Sequence, residues 1–170
     1  MLIRPARPAD CSAIAAIYQQ SQEAYDSTME MGTNADTFRE RLAGLGEREA
    51  LLVVTDPEVV GWGIVKQYSD RLGYRVTGET SIYLDRGLRG RGYGSNLQQA
   101  LMERCAAFGY HHIVARIWAT NQGSIAFHQK FGYQLVGIQK EVGFLAGQWR
   151  DVAIMQCLLS EVGPYRPELG

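Results

Sequence analysis

The sequence predicts a single α+β domain with a mixed, mostly antiparallel central sheet of about seven strands flanked by about four helices. The chain has 170 residues, of which 46% are apolar and 21% charged, as in an ordinary one-domain globular protein. Strand-like and helix-like patterns follow one another in the order β, αα, βββ, α, β, α, ββ. Because no repeat or long linker divides the chain, we assign residues 1–160 to the domain and 161–170 to an irregular C-terminal tail.

Composition argues against several classes of function. A formal net charge of −1 is unlike that of a nucleic-acid-binding protein, which needs an excess of Lys and Arg. The three cysteines, Cys11, Cys105 and Cys157, are widely spaced and suggest neither a disulfide framework nor a zinc site, so we expect no metal. The N-terminus has no apolar export segment, and no run of about 18 apolar residues is present. We therefore expect a cytoplasmic protein without a membrane partner.

The first third of the chain predicts one strand followed by two helices. Residues 2–4 form the expected strand, and Asp10 is expected to cap the first helix. The segment 25–33 is polar and poorly periodic, which predicts an irregular connection. Thr33 or Asn34 then provides a cap for a second, short helix.

Three consecutive antiparallel strands are predicted in the next part. The apolar runs 51–55 and 59–65 flank Asp56-Pro57-Glu58, which predicts a hairpin with a tight turn. After a loop at 69–73, residues 74–84 return as a β-rich segment.

The remaining chain alternates between helix and strand. A Gly/Arg loop at 86–94 precedes a helix that ends near Gly109, and Asn121 or Ser124 can cap a later helix. The further predicted strands are 112–119, 133–138 and 152–159.

The Gly/Arg loop is the segment most suited to binding a ligand. Gly90, Gly92 and Gly94 remove side chains that would keep a ligand from the backbone, and the following helix presents unpaired N–H groups. Such a loop binds phosphate, and Arg89 and Arg91 add charged donors. The spacing fits neither nucleotide fingerprint. A glycine-rich loop taken alone can also be a plain turn, which is the alternative reading.

The spacing R-x-x-G-x-G at 89–94, followed by a helix, a strand, Asn121 and a short helix ending in Gly132-Tyr133, resembles the GCN5-related N-acetyltransferase (GNAT) superfamily over residues 2–159. The resemblance implies an acetyltransferase domain that uses acetyl-CoA. Asn121 could instead be a simple helix cap. The cofactor-binding residues that the resemblance implies are Ile82, Tyr83, Leu84, Arg89, Gly90, Arg91, Gly92, Tyr93, Gly94, Ser95, Asn121, Ser124 and Lys130.

A closer resemblance is to the phosphinothricin and methionine-sulfone acetyltransferase branch of the superfamily. It rests on residues 77–84, on Asn121 with Ser124 and His128, and on residues 143–144 and 147–152. The resemblance implies a small amino-acid-like amine as the acceptor of the acetyl group, and a homodimer.

Glu79 and His128 are the catalytic candidates that this resemblance implies. A primary amine is mostly protonated near neutral pH, so the enzyme must accept a proton before the amine can attack. Glu79 matches the base of the branch, but it could also be a solvated or ion-paired strand carboxylate. His128 could assist proton transfer or contact the cofactor, or it could be structural.

We expect loops that carry aromatic residues to form the pocket for the acceptor. These aromatic residues could equally belong to the core or to a dimer contact. Relatives in the branch carry an aromatic-Arg pair where this chain has Tyr68-Ser69. Arg71 or Arg75 could replace that arginine, or the acidic group of the acceptor could differ, which puts phosphinothricin itself in doubt. The candidate aromatic residues are Tyr25, Tyr68, Tyr74, Phe144 and Trp149.

Two other functions are compatible with the same sequence. One is acetylation of a protein or peptide N-terminus, which requires an open groove. The other is a non-catalytic acyl-CoA-binding regulatory module, which the presence of both Glu79 and His128 argues against.

Overall fold

The computed structural model describes residues 1–27 and 33–163, which form one seven-stranded sheet in the order β1-β2-β3-β4-β5-β7-β6. This confirms the predicted fold class. Within the described ranges no helix is both long and apolar enough to cross a membrane. The strands are β1 (Leu2–Pro5), β2 (Ala50–Thr55), β3 (Val59–Gln67), β4 (Thr77–Leu84), β5 (His112–Trp118), β6 (Gln134–Leu145) and β7 (Gln148–Leu158), and the helices are α1 (Cys11–Glu23), α2 (Ala35–Ala43), α3 (Tyr93–Ala107) and α4 (Gln122–Lys130).

The sheet consists of two antiparallel parts joined by one parallel contact. Strands β1 to β4 are antiparallel neighbours, as predicted for the hairpin and the third strand. Strand β5 pairs with β4 in parallel, because α3 carries the chain back across one face of the sheet. Strands β7 and β6 then continue the sheet in antiparallel pairing.

Each face of the sheet carries its own hydrophobic core. On one face α1 and α2 cover a cluster that contains the fully buried Tyr18, Phe38 and Trp62. On the other face α3 covers a cluster built around Leu97 and Leu101. The alternation of side chains along β3, β4 and β5 therefore decides which side of the sheet each residue reaches.

The predicted capping role of Asp10 is wrong. Asp10 precedes α1, but its side chain accepts no hydrogen bond from the first turn of that helix. Its carboxylate instead accepts hydrogen bonds from the Arg4 guanidinium at 2.7 and 2.9 Å and from the Arg7 N–H at 2.7 Å. Asp10 pairs with Arg4 on β1 because a charge-assisted bidentate contact is stronger than hydrogen bonds to the backbone N–H groups of the helix.

Phe144 and Trp149 lie on strands and not on loops, contrary to the expectation. Strands β6 and β7 extend much farther than the predicted runs and meet in a hairpin whose turn contains Ala146 and Gly147, both with positive φ. Phe144 is paired with Trp149 across this hairpin. The polar residues among the apolar ones conceal the strand pattern in the sequence.

Two expected irregular segments fall partly outside the described residues. Residues 28–32 of the connection between α1 and α2 are not described, and neither are residues 164–170 of the expected C-terminal tail. Asn34 does cap α2 as predicted, since its side chain accepts hydrogen bonds from the N–H groups of Asp36 and Thr37.

Candidate functional site

A cavity of about 600 Å³ opens where β4 and β5 separate. The two strands are paired only at Thr77, Gly78 and Glu79, which face residues 112–114. Beyond Glu79, β4 remains paired with β3 up to Leu84, whereas β5 remains paired with β7. The gap between the strands reaches both faces of the sheet, because residues from the α1 side and from the α3 side line the same cavity.

The edge of β4 that faces the cavity carries unpaired backbone groups. The N–H of Asp85 donates to Val60 on β3, and the carbonyl of Thr77 accepts from Tyr68 on the same side. Since backbone groups alternate in direction along a strand, the N–H and C=O groups of Thr80, Ile82 and Leu84 point away from β3. All three of those residues line the cavity.

A glycine loop closes one end of the cavity. Gly90 and Gly92 have φ of +80° and +86°, which favours glycine, and α3 begins directly after Gly92. A Cβ atom on Gly94 would lie only 2.9 Å from Leu84 Cδ1, so glycine allows the helix to approach β4 closely. The free N–H groups of the first turn of α3 therefore face a concave, side-chain-poor surface that suits a phosphate group.

Arg89 is the cation that lines this end of the cavity. Its Nη2 lies 3.4 Å from an oxygen of Asp26, which also contacts Arg86. Nearly half of the Arg89 side chain is exposed, at 47%. It can therefore turn toward an anion at the glycine loop with little loss of ion-pair energy.

Helix α4 forms the wall opposite β4. Asn121 is its cap, and the Asn121 Oδ1 accepts the N–H of Ser124 at 3.1 Å. The Nδ1 of His128 lies 2.8 Å from the carbonyl oxygen of Ser124. Because a carbonyl only accepts, Nδ1 carries the proton and Nε2 keeps a lone pair. Asn121, Ser124 and His128 all line the cavity.

Glu79 lies beside the cavity at the point where the strands separate, but it is not one of the residues that line it. Its side chain is 11% exposed, and its Oε2 lies 3.6 Å from Arg116 Nη2 and 3.9 Å from Lys66 Nζ. Glu79, Ser81 and Tyr83 share the face of β4 that looks toward α1, as the alternation predicts. A carboxylate flanked by two cations is thus present next to Ser81, which does line the cavity.

A series of buried hydrogen bonds connects α3 to the cavity. The Nε2 of Gln98 donates to the Tyr133 hydroxyl at 3.2 Å, and that hydroxyl lies 3.2 Å from Thr80 Oγ1. Burial raises the pKa of Tyr133, so the phenol keeps its proton. Either hydroxyl can be the donor between Tyr133 and Thr80, and the contact links Gln98 on α3 to a residue that lines the cavity.

Several residues singled out in the sequence do not line the cavity. Tyr93 donates its hydroxyl to Asp56 at 2.7 Å, because the first turn of α3 directs it toward the β2–β3 turn. Tyr68 and Tyr74 contact one another, with ring centroids 5.6 Å apart, and Phe144 contacts Trp149 at 5.0 Å on the hairpin. The others that lie outside the lining are Tyr25, Arg71, Arg75, Arg91 and Lys130.

The sequence analysis does not predict the other lining residues, among which Arg116 is the cation. The signal for Arg116 is visible in the sequence, since a single charge interrupts the apolar run of β5. Thr80 and Ser81 could have been found from their position between Glu79 and Ile82. The remaining unanticipated lining residues are Ser21, Asp26, Ser27, Ala115, Ile117, Gly123 and Phe127.

His128 is expected to make the protein less stable in mild acid. Burial lowers the pKa of His128 below its usual value of 6.5, an effect that the hydrogen bond to Ser124 opposes only in part. The unfolded chain therefore binds more protons just below pH 6.5, and stability is lost as the pH falls from there toward the folded pKa. We expect His128→Gln to reduce this loss, measured by urea unfolding at about pH 7.5 and about pH 5.5.

His112 also has a pKa lowered by burial and by the neighbouring His111, so part of the acid effect should persist in the variant. The same fall in unfolding free energy in wild type and His128→Gln would contradict the prediction.

The amino-acid sequence of the chain is similar to those of known acetyltransferases. A family model described as an acetyltransferase (GNAT) domain matches residues 3–154. An L-methionine sulfoximine/L-methionine sulfone acetyltransferase of Pseudomonas aeruginosa is 33% identical over 167 residues, which cover 91% of this chain and 92% of that protein.

Two solved structures share both fold and sequence. A GNAT superfamily phosphinothricin acetyltransferase from Sinorhizobium meliloti, in complex with acetyl-CoA, has a TM-score of 0.89 and 31% identity, covering 99% of this chain and 94% of that one. A ribosomal-protein-alanine N-acetyltransferase from Brucella melitensis has a TM-score of 0.88 and 31% identity, covering 94% of this chain and 100% of that one.

Proposed function

The chain belongs to the GNAT acetyltransferase family and uses acetyl-CoA, and from that premise we propose that it transfers the acetyl group to the α-amino group of a small amino-acid-like acceptor. The observation that carries the proposal is the cavity between β4 and β5, which opens to both faces of the sheet. One face offers the glycine loop and α4, and the other offers Glu79 and Arg116. Two substrates can therefore approach the same gap from opposite sides.

Several features of the cavity suit acetyl-CoA. The left-handed glycines, the free first turn of α3 and Arg89 suit the diphosphate, which Gly90, Gly92, Gly94 and Ser95 would surround. The exposed edge of β4 at Ile82 and Leu84 suits the amide-containing arm, with Asn121 and Ser124 opposite. Acetyl-CoA supplies the acetyl thioester. Arg91, Tyr93 and Lys130 lie outside this proposed cofactor site.

Glu79 is proposed to take the proton from the acceptor ammonium, directly or through one water. An amine attacks only when its lone pair is free, and a positioned carboxylate can accept the proton. Lys66 and Arg116 hold that carboxylate in place at the junction of β4 and β5. The main-chain N–H of Ile82 points into the gap, where it can donate to an oxygen on which charge develops.

His128 is proposed to contact the cofactor side of the cavity through Nε2. Its Nδ1–H is held by the Ser124 carbonyl, which fixes the ring, and the ring lies edge-on to Tyr133 with centroids 5.0 Å apart. A fixed neutral imidazole can accept a hydrogen bond but has no proton at Nε2 to give. We therefore do not assign it the role of proton donor.

The acceptor class is supported by the relatives, which include acetyltransferases of methionine sulfone and of phosphinothricin. The similarity to the ribosomal-protein-alanine N-acetyltransferase of Brucella melitensis favours a second candidate function, acetylation of a protein or peptide N-terminus. Both acceptors present a primary amine, and they differ in whether a free α-carboxylate lies beside it. The test must therefore include both.

The proposal is tested by thiol release from acetyl-CoA with L-methionine sulfone, L-phosphinothricin, other L-amino acids and an alanine-terminated peptide. We expect turnover with at least one free amino acid and little with the peptide. Turnover with the peptide alone would establish the second candidate. Cofactor binding without turnover of any acceptor would indicate the regulatory module.

We further propose that the protein is a homodimer formed through β6. This strand is at the edge of the sheet, and five of its large apolar side chains are exposed: Leu135 at 49%, Val136 at 58%, Ile138 at 38%, Val142 at 54% and Phe144 at 62%. An edge strand with apolar side chains readily pairs with another chain.

Val136→Asp is accordingly expected to shift the protein from dimer to monomer in sedimentation equilibrium, because a buried unpaired charge is costly. Leu2→Asp, on the opposite edge strand and 58% exposed, is the matched control and should leave the mass unchanged. A monomeric wild type, or a dimer that tolerates Val136→Asp, would argue against this interface.

A cytoplasmic location is the accompanying proposal. Cys11, Cys105 and Cys157 are all free and buried, which suits a reducing compartment. Fractionation of the source cells tests it, and recovery of the protein in an extracytoplasmic fraction would refute it.

A further inference from the structure

Arg116 occupies an unusual position for a charged residue. Its neighbours on β5, Ala115 and Ile117, are buried in the core under α3, at 2% and 6% exposure. Alternation places Arg116 on the opposite face, where it lines the cavity and its side chain is 44% exposed. Because the cavity leaves the guanidinium exposed, water can solvate its charge, and a ligand in the cavity can reach its N–H donors.

The contacts of Arg116 leave most of its donors available. Its Nη2 is 3.6 Å from Glu79 Oε2, which is an ion pair too long for a hydrogen bond, and its guanidinium lies 5.6 Å from the centre of the Tyr68 ring. In the ranges 1–27 and 33–163 no group accepts a hydrogen bond from this guanidinium. Five N–H donors are therefore positioned by a ring and a carboxylate, with cavity space beside them.

The other cations near the site are less suited to an acceptor. Among the described residues, Arg89 and Arg116 are the two cations that line the cavity, and Arg89 lies at the glycine loop, 3.4 Å from Asp26. Lys66 lies 3.9 Å from Glu79 but does not line the cavity. Arg71 and Arg75, the candidates from the sequence, do not line it either.

We propose that Arg116 binds the α-carboxylate of the acceptor and thereby makes the enzyme specific for free α-amino acids. The inference rests on the proposed function. In an α-amino acid one carbon separates the ammonium from the carboxylate, so a matching site needs a carboxylate and a cation side by side. Glu79 and Arg116 provide this arrangement, with their charged atoms 3.6 Å apart. Planar guanidinium is also the side chain best shaped to bind a carboxylate through two hydrogen bonds.

The test compares L-methionine sulfone with its α-carboxamide, which keeps the amine and the side chain but lacks the negative charge. Wild type should prefer the acid by about 10-fold or more in kcat/KM, as expected for a charge-assisted hydrogen bond. Arg116→Gln should raise KM for the acid by about 10-fold or more and leave the kinetics of the amide almost unchanged. Arg116→Lys should restore part of the preference, because the charge returns without the planar fork.

Lys66→Gln is the matched control. It also removes a cation next to Glu79, so any effect on the base should alter the acid and the amide alike and leave their ratio unchanged. Unchanged acetyl-CoA affinity in each variant, measured by calorimetry, shows that the fold is intact.

The outcomes separate the two levels of the proposal. If wild type acetylates both compounds and Arg116→Gln keeps the wild-type ratio, the role of Arg116 is wrong while the proposed function stands. If wild type acetylates neither compound, the amino-acid acceptor itself is wrong, and the inference about Arg116 is lost with it.

Discussion

Glu79→Gln is expected to lower kcat by about 10²–10⁴-fold, the usual contribution of a general base. Glutamine keeps the size of the side chain but cannot accept a proton, so the acceptor remains an ammonium ion without a lone pair. Acetyl-CoA affinity should remain nearly unchanged, because Glu79 lies on the face of β4 opposite to the glycine loop and α4, which are proposed to bind the cofactor. Steady-state thiol release and calorimetry measure the two quantities separately.

The control for this variant is Glu103→Gln, an exposed carboxylate on α3 that accepts a hydrogen bond from Gln99 at 3.1 Å. It makes the same chemical change far from the gap and should retain wild-type kcat. Since Glu79→Gln also leaves Lys66 and Arg116 without their shared anion, the pH profile is informative. Activity that recovers at high pH, where the free amine is more abundant, supports a base. Wild-type turnover at every pH would show that Glu79 is only a partner of the two cations.

Gly92→Val should weaken acetyl-CoA binding by about 5- to 100-fold, which corresponds to the usual strain of a non-glycine residue in a rare backbone region. Gly92 has φ of +86°, and a β-branched residue is strongly disfavoured there. Space is not the problem, because the nearest atom to an added Cβ would be Asn96 Nδ2 at 3.8 Å. The loop must therefore change conformation and turn the N–H groups at the start of α3 away from the diphosphate.

Gly73→Val is the matched control, because Gly73 has no positive φ and an added Cβ there would meet nothing within 4 Å. Calorimetric titration with coenzyme A should give the wild-type affinity for this control. Equal affinities for both variants would mean that the loop conformation at Gly92 does not determine cofactor binding, and the proposed diphosphate site would have to be abandoned.

The sequence was informative where one local pattern determines the outcome. The β2–β3 hairpin follows from two apolar runs around Asp56-Pro57-Glu58, and the cap of α2 follows from Asn34. The glycine loop and α3 follow from glycines directly before a helical apolar repeat. Each of these elements depends on neighbours in the chain, so the residues themselves carry the information.

It was less informative where residues distant in sequence compete. Asp10 could cap a helix or pair with Arg4, and only the position of β1 beside it decides between the two. Alternation along β4 and β5 tells which face each side chain takes, but it does not tell where the two strands separate. The pairing of Glu79 with Arg116 depends on that point, so the sequence pattern predicts Arg71 and Arg75 but not Arg116.

The three residue pairs between β4 and β5 also bear on how the molecule persists in a cell. The part of the sheet formed by β1 to β4 and the part formed by β5 to β7 are paired at one end of β4 and β5 only. A ligand bound in the gap at the other end contacts both parts and so stabilises their association. A ligand that binds only this assembled form adds RT ln(1 + [L]/Kd) to the folding free energy, about 2.7 kcal/mol when its concentration is 100 times Kd. Against a total stability of about 5–15 kcal/mol, that increment is substantial. The supply of cofactor would thus govern the lifetime of the protein as well as its rate of turnover.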